Sequence, residues 1–180
     1  MSPVWPAALQ KHDLRQGGAG RGGVDWARMV TYYTLLCLHI LGATIWVGGH
    51  LVLATTILPR ALKARKASII TDFEQGYERL GMPALAVQIL TGLWLAHRLL
   101  GSAANWLGDS PHAHLVHLKL LFLAATVGLA IHAKTRVIPR LRDDNIPVLG
   151  AHIVGVTILG VLFTFAGASL RLGGYPLFGS

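Results

Sequence analysis

Residues 29–59 form a run of 31 positions without a charged side chain, bounded by Arg28 and Arg60. A helix folding in water needs a polar face, whereas a transmembrane helix needs about 20 consecutive, mostly apolar residues. Three more stretches follow. Residues 80–97 carry no charge between Arg79 and Arg98. Only Asp109 and Lys119 interrupt the stretch from Arg98 to Lys134. Between Arg142 and Arg171 the only charges are Asp143 and Asp144, both at the start. Lipid offers no partner for an unpaired backbone N–H or C=O, so these stretches predict helices. The expected fold class is all-α, an integral membrane four-helix bundle with spans at about 29–58, 78–100, 112–138 and 146–170. A flexible tail is expected over 1–28, and a short one over 172–180.

Charged residues make up 13% of the chain, against roughly a quarter in soluble domains. The net charge of +8 would suit nucleic acid, but the basic residues lie between the apolar runs and mark topology instead. The expected partner is the lipid bilayer, with no nucleic acid. One cysteine, Cys37, excludes a disulfide framework and a thiolate metal cluster. Nine basic residues fall in the first and third connections: Arg60, Lys63, Arg65, Lys66, Arg79, Lys134, Arg136, Arg140 and Arg142. Lys11, Arg15, Arg21, Arg28, Arg98 and Arg171 lie on the other side. The richer side is cytoplasmic by the positive-inside rule. The chain then sits in the bacterial inner membrane with both termini periplasmic.

Gly18, Gly20 and Gly23 match a dinucleotide-binding glycine pattern, but no βαβ unit surrounds them. The N-terminal stretch also lacks the apolar core of a signal peptide. Residues 60–77 read as an interfacial helix or an extension of the second span, with Ser68 and Thr71 as N-cap candidates.

Ionisable residues inside a span are costly and point to function. The first span carries His39 and His50, 11 residues apart, about 20° off one face and roughly 16.5 Å along the axis. The third carries His117 and His132, 15 residues apart, about 60° off one face and roughly 22.5 Å along it. Both spans exit through a proline-arginine pair, Pro59-Arg60 and Pro139-Arg140. Counted back from these prolines, His50 matches His132 and His39 matches His117, each within about 3 Å of depth. Two parallel helices with histidines at two depths are what two bis-histidine haem b groups require. Such a protein would pass electrons across the membrane between an outer layer (His39, His117) and an inner one (His50, His132). Quinone or a periplasmic redox protein would be its partner. His152 rivals His132 for the inner layer. Gly42, Gly48, Gly49 and Gly128 would admit a flat macrocycle or mark close helix packing. Propionates would find Arg98, Lys119 and Arg171 at one end and Arg60, Lys134 and Arg136 at the other. On the outer side, His97, His112 and His114, with His117 beyond, have the composition of a copper site. A larger respiratory complex or a homo-oligomer is compatible with all of this.

The local sequence also resembles known families. His39-Ile40-Leu41-Gly42-Ala43-Thr44-Ile45-Trp46-Val47-Gly48-Gly49 is similar to the first helix of CopD-type copper-resistance membrane proteins and of HemJ-type protoporphyrinogen oxidases. Glu78-Arg79-Leu80-Gly81-Met82-Pro83-Ala84 with Thr91-Gly92-Leu93-Trp94 resembles the second HemJ-type helix. His117-Leu118-Lys119-Leu120-Leu121 resembles the third helix of both families, and Asn145-Ile146-Pro147 the fourth HemJ-type helix. The likeness covers about residues 30–170 and implies a four-helix membrane module. A HemJ-like chain would hold b-type haem on His39, with Arg79 and Lys119 facing substrate carboxylates. A CopD-like chain would act as a permease moving copper across the inner membrane. His50 and His132 are additional to the HemJ pattern.

Overall fold

The computed structural model describes residues 19–171; the segments 1–18 and 172–180, expected as parts of the two tails, lie outside them. Every regular element among the described residues is helical. Four stretches are long and apolar enough to cross a membrane: Asp25–Ala64, Ser68–Leu100, Pro111–Arg140 and Ile146–Leu170. The all-α reading therefore holds. Chain contacts divide the molecule into two units, one ending at Thr34 and one starting at Leu35. The described part of the first is a single helical stretch that exposes Trp26, Met29 and Tyr33. The second unit is the helical bundle.

Helix α1 covers Ala19–Val52, so residues 19–28, read from composition as tail, are helical. Pro59 has no N–H and its ring crowds the carbonyl four residues back. The chain widens to avoid that carbonyl. Leu53–Ile57 is a π-turn in which the Leu58 N–H bonds to Leu53 O, five residues back. Wide turns of this kind are rare and gather at functional places. The same device recurs in the third span. Helix α5 (Pro111–His132) runs into a π-turn at Ala133–Val137, where the Ile138 N–H bonds to Ala133 O, just before Pro139. Thr55 and Thr135 each stand four residues before their proline. Their hydroxyls donate to Leu51 O at 2.6 Å and to Ile131 O at 2.8 Å. Beyond Pro59 the chain continues as α2, Leu58–Ala64, and stops at Arg65, which is left-handed with φ 51°. Beyond Pro139 only one 3-10 turn follows, Ile138–Arg140.

Of residues 60–77, left open between an interfacial helix and the second span, 60–64 belong to α2 and 68–77 to helix α3, Ser68–Leu100. Neither Ser68 nor Thr71 caps it. The Ala67 N–H donates instead to Asp143 Oδ1 at 2.7 Å, tying the first connection to the third. Gly101 ends α3 at φ 73°, a conformation glycine adopts without a Cβ clash. After the short α4 (Ala103–Trp106), α5 starts on Ser110, whose Oγ accepts from the Ala113 N–H at 3.2 Å, with Pro111 as its first residue. The last helix, α6, spans Ile146–Arg171.

Helix α1 meets α3 where Gly42 lets the backbones approach: a Cβ there would lie 2.8 Å from Ala84 O. It meets α6 where a Cβ on Gly160 would lie 3.3 Å from Val47. Helix α5 packs most extensively against α6 and also touches α3. The parallel helices α1 and α5 thus share α3 and α6 as neighbours. The larger apolar core lies at the proline end, around Leu53, Leu58, Ile70, Ile146, Leu149 and Ile153. A smaller one at the opposite end joins Leu100, Ala113 and Val116, with Trp106 packed on it. Lipid tails are as apolar as these side chains, so close contact rather than escape from water holds such a bundle together.

Candidate functional site

Three histidines inside the bundle are oriented in one way. His39 Nδ1 lies 3.0 Å from Gln88 O and 3.0 Å from Thr91 Oγ1 on α3. The Thr91 hydroxyl already donates to Val87 O at 2.6 Å. Both neighbours therefore accept, and Nδ1 carries the proton. The ring rests in a notch left by Gly92, where a Cβ would come within 2.8 Å of Cε1. His50 Nδ1 lies 2.9 Å from Trp46 O, one helical turn back. His152 Nδ1 lies 2.9 Å from Val148 O, again one turn back. A carbonyl can only accept, so each imidazole holds its proton on Nδ1 and its lone pair on Nε2. Histidines that ligate metals are usually fixed in this manner, by a carbonyl or carboxylate on the other ring nitrogen.

The surroundings of His50 are aromatic. Its ring centroid stands 4.5 Å from that of Trp46 and 6.1 Å, edge-on, from that of Tyr77. Tyr77 donates to Ile45 O at 2.8 Å and to Trp46 O at 3.1 Å. Its ring fills the space beside Gly49 and Gly81 and stacks on Phe73 at 5.7 Å. Thr157 of α6 donates to His50 O at 3.2 Å. His132 is exposed and its Nδ1 lies 2.8 Å from His152 Nε2.

The expected layers are therefore joined differently from the depth argument. The structure brings His132 together with His152, its rival in the sequence, while the partners of His50 lie on α1, α3 and α6. Of the glycines expected to leave room for a macrocycle, Gly42 receives α3 and Gly49 receives the Tyr77 ring. Gly48 and Gly128 have open space beside them. His117 is exposed on α5, and His97 is exposed on α3. His114 Nε2 lies 2.9 Å from Asp109 Oδ1, and His112 is half-buried. Among the described residues no three of His, Cys, Asp and Glu gather as a metal-holding group. His97, His112 and His114 are thus not assembled into an outer centre. Arg98 lies over the Trp94 ring at 5.6 Å, and Lys119 over the Phe163 ring at 4.6 Å. Arg136 is exposed on the second π-turn. Lys134, on the same π-turn, pairs with Glu78 of α3.

Sequence reasoning missed Gln88, Thr91 and Tyr77. Gln88 is 5% exposed, and its Oε1 has no hydrogen-bond partner among the described residues. A glutamine within an uncharged span is itself a signal, because buried polar groups in lipid are costly. Tyr77 left only the small residues that accommodate it.

The family model for copper resistance protein D matches residues 72–170, more than half of the chain, from the first turns of α3 to the end of α6. His132 and His152 fall inside the matched segment, and His39 and His50 precede it. No curated protein and no solved structure matches.

Proposed function

Because the chain belongs to the copper resistance protein D family, we propose that this multi-pass membrane protein handles copper and conducts the ion through its helical bundle on imidazole ligands. The family match over α3, α5 and α6 carries the reading. The oriented histidines support it: His39, His50 and His152 each hold Nδ1 on an acceptor, which makes Nε2 the ring nitrogen with lone-pair donor character. Imidazole suits copper. Sulfur is scarce here, with three methionines and one cysteine in the whole chain, so nitrogen donors would carry the ion. His39 and His50 stand about 16.5 Å apart along α1 and make successive stations. The excess of basic residues in the first and third connections assigns the proline end to the cytoplasm. The working unit is the four-helix bundle over about 29–171. The family match speaks for copper rather than for haem-borne electron transfer.

The test is the metal and haem content of the detergent-purified protein, with absorbance spectra before and after reduction. The expected result is bound copper and no b-type haem bands. Stoichiometric b-type haem with no copper would overturn the reading.

A further inference from the structure

The pair formed by His132 and His152 has a geometry that a simple hydrogen bond does not require. The ring planes are within 16° of each other, and the centroids are 5.0 Å apart. That separation is about the 2.8 Å between the facing nitrogens plus the two ring radii. The rings therefore lie edge to edge, nearly coplanar, and not face to face. Val148 O fixes the proton of His152 on Nδ1, so His152 Nε2 presents its lone pair along the line joining the rings. The proton in between belongs to His132 Nδ1. Moving it to His132 Nε2, the other neutral tautomer, leaves two lone pairs aimed at one point.

We propose that His132 and His152 form a two-coordinate copper(I) site bridging α5 and α6 at the proline end of the bundle. This rests on the copper reading above and names one of its binding stations. The donor set selects the ion. Zinc in proteins takes four ligands, and calcium and magnesium take oxygen. Here two neutral imidazoles stand alone, and among the described residues no third His, Cys, Asp or Glu joins them. Copper(I) accepts two nitrogen donors in a line. Two bonds of roughly 2 Å set the nitrogens about 4 Å apart, so the rings part by about 1 Å from their hydrogen-bonded spacing. His132 is exposed and His152 half-buried, which leaves both rings room to move. For the neutral pair the bridging proton shifts to His132 Nε2 as the ion enters. No proton is released and no electron is transferred. Both ligands lie within the residues matched by the family model.

The experiment loads the full chain in detergent with copper(I) under anaerobic reducing conditions. A chromophoric copper(I) chelator sets the free ion concentration, and X-ray absorption reports the ligands. The expected result is a copper with two short nitrogen ligands. Its affinity falls about ten-fold or more in His132→Ala and equally in His152→Ala, with no further loss in the double variant. His132→Gln keeps a side chain of similar reach and an intact helical circular-dichroism signal, and should lose the ion as the alanine variant does. Copper held through sulfur, or unchanged by these variants, would overturn the site and leave the copper reading standing. A chain that binds no copper at all would overturn both.

Discussion

In the first span Thr55 lies within one widened turn and Pro59 follows it, and in the third Thr135 and Pro139 stand in the same way to the other. Ahead of the first turn stands His50, its proton on Trp46 O and its ring between Trp46 and Tyr77. Ahead of the second stands His132, exposed and bonded to another imidazole. One backbone device thus serves two kinds of histidine. The residue packed around each ring, and not the turn, decides what that ring can do. At His50 the glycines at 49 and 81 admit Tyr77, and the ring is held firmly. At His132 the ring neighbour recorded among the described residues is His152, which arrives from α6.

The largest effect is expected where this difference originates. A Cβ on Gly49 would overlap the Tyr77 ring, so Gly49→Val expels Tyr77 and leaves His50 without its edge-on neighbour. Overpacking of this kind costs about 1–3 kcal/mol, read as a lower unfolding temperature in detergent. An unchanged temperature would show that the Tyr77 seat does not hold the region. A direct comparison comes next. His50→Ala should cost about 1–2 kcal/mol through lost ring contacts and the lost bond to Trp46 O, while His132→Ala, an exposed change, should stay within about 0.5 kcal/mol. Equal losses in the two variants would remove the distinction between a packed and an open imidazole. An effect below those at Gly49 and His50 is expected at Lys134, whose pairing with Glu78 is half to two-thirds exposed. Lys134→Ala should change stability by less than about 1 kcal/mol. A larger loss would make that ion pair, rather than histidine packing, the organiser of the proline end.

The four spans were legible because uncharged length is a local property of the chain. The equivalence of Pro59 and Pro139 was legible too, since a missing N–H acts on its own helix. The pairing of histidines was not. Depth along an axis says which residues share a level, but not which helices are neighbours. Helices α1 and α5 both border α3 and α6, so His132 meets α6 before it meets α1. The seat of His39 depends on Gly92, Gln88 and Thr91 of another helix, and periodicity within α1 carries no trace of them. Ser68 looked like a cap, but Asp143, 76 positions beyond Ala67, satisfies that N–H.

Copper movement across a sealed bilayer tests the central claim most directly. The chain is reconstituted into liposomes holding a copper(I) chelator dye, and entry of copper(I) is followed from outside. The account predicts uptake well above protein-free vesicles and its loss in His50→Ala, whose helical content should remain. Uptake no faster than through lipid alone, or equally fast in the variant, would contradict it.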